Sequence, residues 1–376
     1  MTTADSFQDR ARDAIRTFLT PGPRMVDEFE CIASIMVAIF LAHLIGAKTV
    51  AWAAFTALVL IRGHVSQTML RAVMRIIGTN AGAALALLIV PYAARSLPVA
   101  MLAAGVVGTG AMYAALTAKR SYAWLLLGLT YEMILLDKLE NTGIDTTALA
   151  HNRLIEVWAG TVACLLVSLA STLTARRWWP ASPAPEPTRL GWHPHALRHA
   201  VQTGLALALL PLASVYLGLP EMWQASVTVM AVMIVPAAII GRSAFQPVNR
   251  RIMMRAVGCL AGGLLAGAIV LIAQGSAPIL IAGTCMGVLI GRHIENGQTA
   301  LTYLGLQFTL AILVVLVPDN YADAHIGPAL DRLLNVFVGI AVLEPVLLIW
   351  HAVARFTGAR ELGEAEPGHN EAPGSE

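Results

Sequence analysis

Apolar positions along the chain gather into long blocks separated by short polar stretches, without the strict alternation of a strand. The blocks lie near residues 29–46, 49–61, 76–94, 97–117, 121–136 and 154–175, and again near 199–218, 222–241, 256–274, 277–291, 298–317 and 333–350. Most approach the ~20 residues a helix needs to cross a hydrocarbon core of ~30 Å. The pattern predicts an all-α polytopic membrane protein with about twelve transmembrane helices. The second block of each half departs from this rule. Residues 49–61 are short for a span and stop at Arg62 and Gly63, and the counterpart is interrupted by Pro236. Short or Pro-broken helices at matching places point to a transporter's binding site, because their freed backbone groups can meet a ligand.

The two halves repeat one another. Arg71, Arg75, Gly78, Ala81 and Gly82 return as Arg251, Arg255, Gly258, Ala261 and Gly262 at an offset of 180, and Arg153, Leu154, Val157 and Gly160 return as Arg332, Leu333, Val336 and Gly339 at an offset of 179. An even number of helices per copy leaves both copies in one orientation, so the expected arrangement is two parallel six-helix repeats. The domain plan is then an N-terminal segment 1–27, a first membrane repeat 28–177, a Pro-rich linker 178–197, a second repeat 198–356 and an acidic, disordered tail 357–376. In the first segment Phe7, Ala11, Ile15 and Phe18 fall at helical spacing, which fits an amphipathic helix on the membrane surface or a partly disordered leader. Duplicated hydrophobic halves are the usual plan of secondary transporters, whose substrate site lies between the repeats. A carrier is the starting expectation.

Composition agrees with a life in lipid: 57% of residues are hydrophobic and 13% charged, with a mean hydropathy of +0.68, far too apolar for a soluble domain of this length. Charge then supplies orientation. Of the 25 Lys and Arg, 20 fall on the side of the termini, and only Lys48, Arg95, Lys138, Arg153 and Arg332 fall on the other. By the positive-inside rule both termini are cytoplasmic, which implies a multi-pass protein of the inner membrane. The net charge of +2 is spread along one face, so no nucleic acid is expected as a partner. Cys31, Cys164, Cys259 and Cys285 form no Cys-x-x-Cys pair and have no His at metal spacing, so they read as small buried hydrophobes; no metal or cofactor is expected. There is no Gly-Lys-Ser/Thr nucleotide loop, no His-Glu-x-x-His and no nucleophile elbow, which argues against an enzyme or an ATP-driven pump.

Ionisable groups inside spans cost about 2.5–3.5 kcal/mol each on insertion scales, so the two intramembrane acids are the first candidates for carrying a coupled proton. Glu132 stands eleven residues into its helix, roughly 16 Å deep, and Glu344 about six residues from the end of its apolar block, roughly 9 Å deep. Their repeat counterparts read as Thr309 and Leu165. Either acid can instead be a structural group, protonated or paired with Arg. Arg71, Arg75, Arg251 and Arg255 form two repeat-related pairs at the start of the third helix of each half; they can line a cationic vestibule for a carboxylate or serve as anchors at lipid head groups. Trp52 and Trp223 begin the short second helices and can stack an aromatic substrate or sit at the membrane interface. Gly78 with Gly82, Gly258 with Gly262 and Gly263 with Gly267 have the small-xxx-small spacing that lets helices approach closely.

Taken together, these residues resemble the fusaric acid resistance and aromatic acid exporter family of bacterial membrane proteins. The resemblance rests on Leu197 and Arg198 opening an Ala/Leu-rich helix, on Leu217, Gly218, Leu219 and Pro220 before Trp223, on the Arg251, Arg255, Gly258 and Gly262 block, on Arg332 and Gly339, and in the first half on Trp52, Arg71, Arg75, Gly78, Gly82, Arg153 and Gly160. It implies an inner-membrane exporter of aromatic carboxylic acids or related toxic compounds, driven by the proton gradient. Many members carry cytoplasmic domains after each six-helix block, which this sequence lacks, so regulation and oligomeric state do not carry over. The expected partners are a small organic-acid substrate and the lipid bilayer, with a homo-oligomer or a periplasmic adaptor left open. A non-transporting membrane scaffold or assembly subunit is the alternative. For the topology, cysteines placed at Lys138 and Asp323 should react with an impermeant thiol reagent in intact cells; labelling only after the cells are broken would reverse the orientation.

Overall fold

The computed structural model describes residues 22–181, 193–235, 245–297 and 301–356, the side chains as far as residue 353. Among them there is no strand. The helices are α1 Pro23–Leu44, α2 Val50–Leu60, α3 Val65–Ala93, α4 Leu97–Thr117, α5 Ser121–Glu140, α6 Thr146–Leu173, a single turn α7 Ala175–Trp178, then α8 Pro194–Leu217, α9 Trp223–Met233, α10 Phe245–Ala273, α11 Ala277–Glu295, α12 Thr302–Leu316 and α13 Gly327–Phe356. The proposed amphipathic stretch 7–18, most of the Pro-rich linker, the tail and Pro236 lie outside the described residues.

Seven of these helices, α3, α4, α6, α8, α10, α11 and α13, are long and apolar enough to cross a membrane. The other apolar blocks differ for identifiable reasons. At 11 residues each, α2 and α9 reach roughly 16 Å, about half a hydrocarbon core. Helix α12 has 15 residues. Helix α1 begins at Pro23, a residue whose fixed φ suits a first helical position, and so takes in Asp27, Glu28 and Glu30 ahead of its apolar run. Helix α5 carries Glu132, Asp137, Lys138 and Glu140.

Helix contacts fall in matched pairs. Within the first half α1 packs on α2 and α6, α3 on α5 and α6, and α4 on α5; within the second α8 packs on α9 and α13, α10 on α12 and α13, and α11 on α12. Between the halves α4 lies against α8 and α11 against α1, while α5 meets α9 and α12 meets α2. The apolar cores follow the same reciprocity. One cluster joins Ile35, Phe55 and Ala163 of the first half to Val288 and Leu313 of the second, and another joins Leu207, Met230 and Leu343 of the second half to Met112 and Met133 of the first.

Glycines set the closest approaches. A Cβ at Gly78 or Gly82 would overlap the carbonyl oxygens of Ala123 and Leu127 on α5, and one at Gly258 or Gly262 would press on those of Leu304 and Phe308 on α12. These matches superpose α5 on α12 at an offset of 181, so Glu132 corresponds to Leu313 and not to Thr309. Likewise Gly160 abuts Ala53 and Thr56 as Gly339 abuts Ala225 and Thr228, which makes Gln224 the counterpart of Trp52. Gly263 and Gly267 have open space where a Cβ would be, so that pair does not mediate a close crossing; two residues at helical spacing pack a helix only if a neighbour faces them.

The two seams between the halves differ. At α4–α8, a Cβ at Gly105 or Gly204 would collide with the other helix, as close backbone packing requires. At α1–α11 the join is ionic: Arg292 pairs with Asp27 at 2.7 Å, His293 with Glu28 at 2.8 Å, and Arg24 donates to the His293 carbonyl. Asp27 also lies 3.7 Å from Arg176, which pairs with Glu30. Gly82→Ala and Gly262→Ala should each destabilise the protein by about 1–3 kcal/mol, since the carbonyl each would strike belongs to a packed helix, while Gly263→Ala should be neutral or gain up to about 1 kcal/mol. Thermal unfolding in detergent reads all three.

Candidate functional site

A cavity of about 260 Å³ lies between the halves. Helices α2, α3, α5 and α6 of the first half wall it, with α9, α10, α12 and α13 of the second, and its surface is largely aliphatic and aromatic. It runs from Val59 and Tyr122, near the face of the molecule that carries Pro23, to Trp52 on the far side. Along α5 it spans Tyr122 to Met133, roughly 16 Å at the helical rise. The short helices make room for it: because α2 stops at Leu60 and α9 at Met233, neither fills the centre along a whole membrane thickness.

Five arginines line this cavity: Arg75, Arg153, Arg251, Arg255 and Arg332. Arg75 and Arg255 are repeat mates with matching bonds. Arg75 donates to the Thr56 hydroxyl at 2.8 Å and the Tyr122 hydroxyl at 3.2 Å. Arg255 donates to Thr228 at 3.1 Å and to the Gln307 amide oxygen at 2.7 Å. They are 5% and 1% exposed, which places them inside protein and away from lipid head groups. One helical turn nearer the Pro23 face, Arg71 stacks over Tyr122 at 5.1 Å and Arg251 over Tyr303 at 4.7 Å. Arg71 also donates to the Val59 carbonyl at 3.3 Å and is not part of the cavity wall.

At the far end Trp52 and Trp223 meet edge to face, with ring centroids 5.3 Å apart. The Arg153 guanidinium lies 5.4 Å from one ring and 5.0 Å from the other, and is fixed from behind by Asp137 at 3.0 Å and Glu156 at 3.2 Å. A second hollow, of about 290 Å³, opens beyond this pair and shares Trp52, Trp223, Phe55 and Gln224 with the cavity, so the two indole rings form the partition together with Phe55 and Gln224. Its other lining is largely apolar and includes three acids, Glu221, Asp319 and Asp323. Carboxylates also close the start of α2, where the Thr49 N–H donates to Glu156 at 3.0 Å and the Val50 N–H to Asp319 at 2.9 Å. Burial raises the Asp319 carboxyl above its ordinary range, and the Val50 N–H opposes that rise.

Apart from Arg153, none of the cavity arginines has a carboxylate within ion-pair distance among the described residues. Arg75 Nε, Arg251 Nη1, Arg332 Nε and the Tyr303 hydroxyl are buried without any hydrogen-bond partner. A buried donor left unmade costs about 1–3 kcal/mol, more when it is charged, so several together leave unmet hydrogen-bonding capacity and positive charge around one apolar space.

Neither acid candidate lines that wall. Glu132 is fully buried on the back of α5, with both carboxyl oxygens lacking a hydrogen-bond partner. It faces α4, where a Cβ at Gly108 would come within 3.5 Å of its Oε1 and against Leu207 of α8. It therefore sits at the glycine-packed seam between the halves. Glu344 is partly buried on α13 beside Pro345. Because α13 continues through polar residues to Phe356, Glu344 stands roughly 18 Å from the helix end, twice the depth expected from the apolar run. Of the transport candidates, the cavity brings together Arg75, Arg251, Arg255, Trp52 and Trp223. Arg332, counted from sequence as an outer cation, joins them, with Tyr122, Tyr303, Gln224 and Gln307. The signal that could have found Arg332 is the repeat itself: it and Arg153 open the matched stretches Arg153–Gly160 and Arg332–Gly339.

A duplicated helical bundle around an apolar, cation-lined chamber defines a polytopic membrane protein of transporter type. The chain belongs to the fusaric acid resistance protein-like family, whose model matches residues 37–167 and 206–343. No curated protein matches it. Family membership makes its role efflux-related membrane transport. For the partition itself, Arg153→Gln leaves Asp137 and Glu156 buried with no cation between them and should cost about 3–5 kcal/mol. Adding Asp137→Asn and Glu156→Gln should recover most of that loss in thermal unfolding.

Proposed function

We propose that the protein is a secondary exporter of aromatic or amphipathic organic acids, of the fusaric acid or hydroxybenzoate kind, working by proton antiport in the bacterial inner membrane with both termini cytoplasmic. The observation that carries this reading is the central cavity, in which four guanidinium groups without carboxylate partners face an apolar and aromatic wall. An organic acid supplies both halves of what such a chamber lacks: a carboxylate for the arginines and a ring for the aromatic and aliphatic sides. The recurring motifs and the matched helix contacts on either side of the chamber support reading the halves as two parallel repeats, with alternating access by rocking one half on the other. The substrate and the bilayer are the only partners the reading needs. A homo-oligomer or periplasmic adaptor would be an addition to it, and a scaffold role would leave the uncompensated arginines without a purpose.

Glu132 is the proton carrier in this scheme. It is separated from the substrate chamber by the body of α5 and sits on the α4–α8 seam, so a change in its charge acts on the joint between the halves, and not on the substrate directly. Ionising a carboxyl that has no partner there is expensive, and the seam must then open to water or rearrange. Glu132→Gln should fold, bind substrate and support exchange while losing uphill export by at least about tenfold; Glu132→Asp should keep partial activity with a shifted pH profile. Concentrative efflux from vesicles under an imposed pH gradient is the assay. Wild-type uphill transport by the Gln variant would remove Glu132 from the mechanism and leave Glu344 as the remaining intramembrane acid.

A further inference from the structure

The two halves of the cavity wall are electrically unequal, and the difference falls on one pair of repeat mates. Arg153 is held by Asp137 at 3.0 Å and by Glu156, three residues along its helix, at 3.2 Å. Its counterpart Arg332 has Asn335 at the position of Glu156. Arg332 is 5% exposed, lines the cavity and has no carboxylate within ion-pair distance among the described residues. Its Nη1 donates to Gln224 Oε1 at 3.3 Å, its guanidinium lies 5.8 Å from the Phe55 ring centre, and its Nε has no partner. Glu221 is not within ion-pair distance of it: that carboxylate accepts from Gln224 Nε2 and acts on Arg332 as a more distant charge. Arg255, in the same half of the wall, bonds only to the neutral side chains of Thr228 and Gln307.

A guanidinium withdrawn from water is stable only when its charge and its N–H groups are met. Arg153 has carboxylate counter-ions inside the protein; Arg332, among the described residues, has only the neutral Gln224 amide and the Cys259 thiol as hydrogen-bonding neighbours. We propose that Arg332 and Arg255 form a carboxylate subsite on the second-half wall, which fixes a bound acid with its carboxylate toward α13 and α10 and its apolar body along Leu125, Leu129 and Val227. This rests on the reading of the cavity as the substrate chamber. Arg153 is then no second subsite: its charge is already met, and it serves the tryptophan partition. Two arginines that look interchangeable in the sequence thus have different tasks, set by the acids around them: Arg153 has Asp137 and, at position +3, Glu156, where Arg332 has Asn335 at +3.

The test measures binding of 4-hydroxybenzoate and fusaric acid, and of their uncharged amides, to the purified full chain in nanodiscs by calorimetry. Arg332→Gln should weaken both acids about ten- to hundredfold, as expected for losing charge-assisted hydrogen bonds. It should leave the amides unchanged and raise the ligand-free melting temperature, because an uncompensated buried cation is gone. Asn335→Glu should give the same selective loss with the arginine retained, since it installs in the second half the counter-ion that Glu156 provides in the first; this variant decides the matter if Arg332→Gln does not fold. Unchanged acid affinity in either folded variant, or an equal loss for acids and amides, would overturn the subsite while leaving the exporter reading intact. Wild-type protein that binds neither acid would overturn the exporter reading and the subsite with it.

Discussion

Burying guanidinium groups in the middle of an apolar bundle is the constraint to which the rest of this structure answers. Each such group must be given hydrogen-bond acceptors, a π-face or a counter-ion, or it destabilises the fold by more than a typical domain can absorb. The protein uses all three and distributes them unevenly. Thr56, Thr228, Tyr122 and Gln307 supply neutral acceptors to Arg75 and Arg255. Tyr122 and Tyr303 supply ring faces to Arg71 and Arg251. Of the cavity arginines, only Arg153 has carboxylate partners among the described residues. Arginine donors that remain unmet face one cavity, and the positive charge left there is what the proposed binding of an organic anion draws on.

The backbone makes that arrangement affordable. Glycines at Gly78, Gly82, Gly258 and Gly262 bring α3 and α10 against the carbonyls of α5 and α12, and from those close contacts Arg75 and Arg255, one turn before each glycine pair, reach inward to the short helices α2 and α9. Truncation of α2 and α9 then leaves the volume that full spans would have filled. Charge sorting continues along the axis of the chamber. Beyond the tryptophan partition the lining includes three acids, so an anion in the cavity meets attraction on one side of Trp52 and Trp223 and repulsion on the other. Opening the partition must therefore involve the Arg153 cluster, where a cation already meets acids beside the tryptophans.

Much of this was legible in the sequence because the relevant physics is periodic. Apolar blocks announce helices, and a motif that recurs at a fixed offset announces a shared fold, so the arginine and glycine positions of α3 and α10 could be named in advance. What stayed hidden depends on facing. Glu132 could be named as a proton-coupling candidate because depth can be counted along one helix, whereas the side of α5 it occupies is set by packing against α4 and α8. Gly263 and Gly267 had the spacing of a helix-packing pair and no helix in front of them. Arg332 read as a topological anchor because a cation near the end of an apolar run is normally one; only its neighbours reveal that it points into protein. The acids of α1 escaped notice since Asp27, Glu28 and Glu30 precede the apolar run, yet their partners Arg176 and Arg292 come from distant parts of the chain.

The central claim is that the space between the halves is where an organic anion binds. Anomalous scattering from crystals of the protein grown with an iodinated benzoate would locate the bound ring through its iodine atom. The account predicts a peak inside the cavity, between the Trp52–Trp223 pair and the Tyr122 and Tyr303 rings, with the carboxylate in reach of the cavity arginines. A peak only on the lipid-facing surface or in the second hollow beyond the tryptophans, with the cavity empty at saturating ligand, would contradict it.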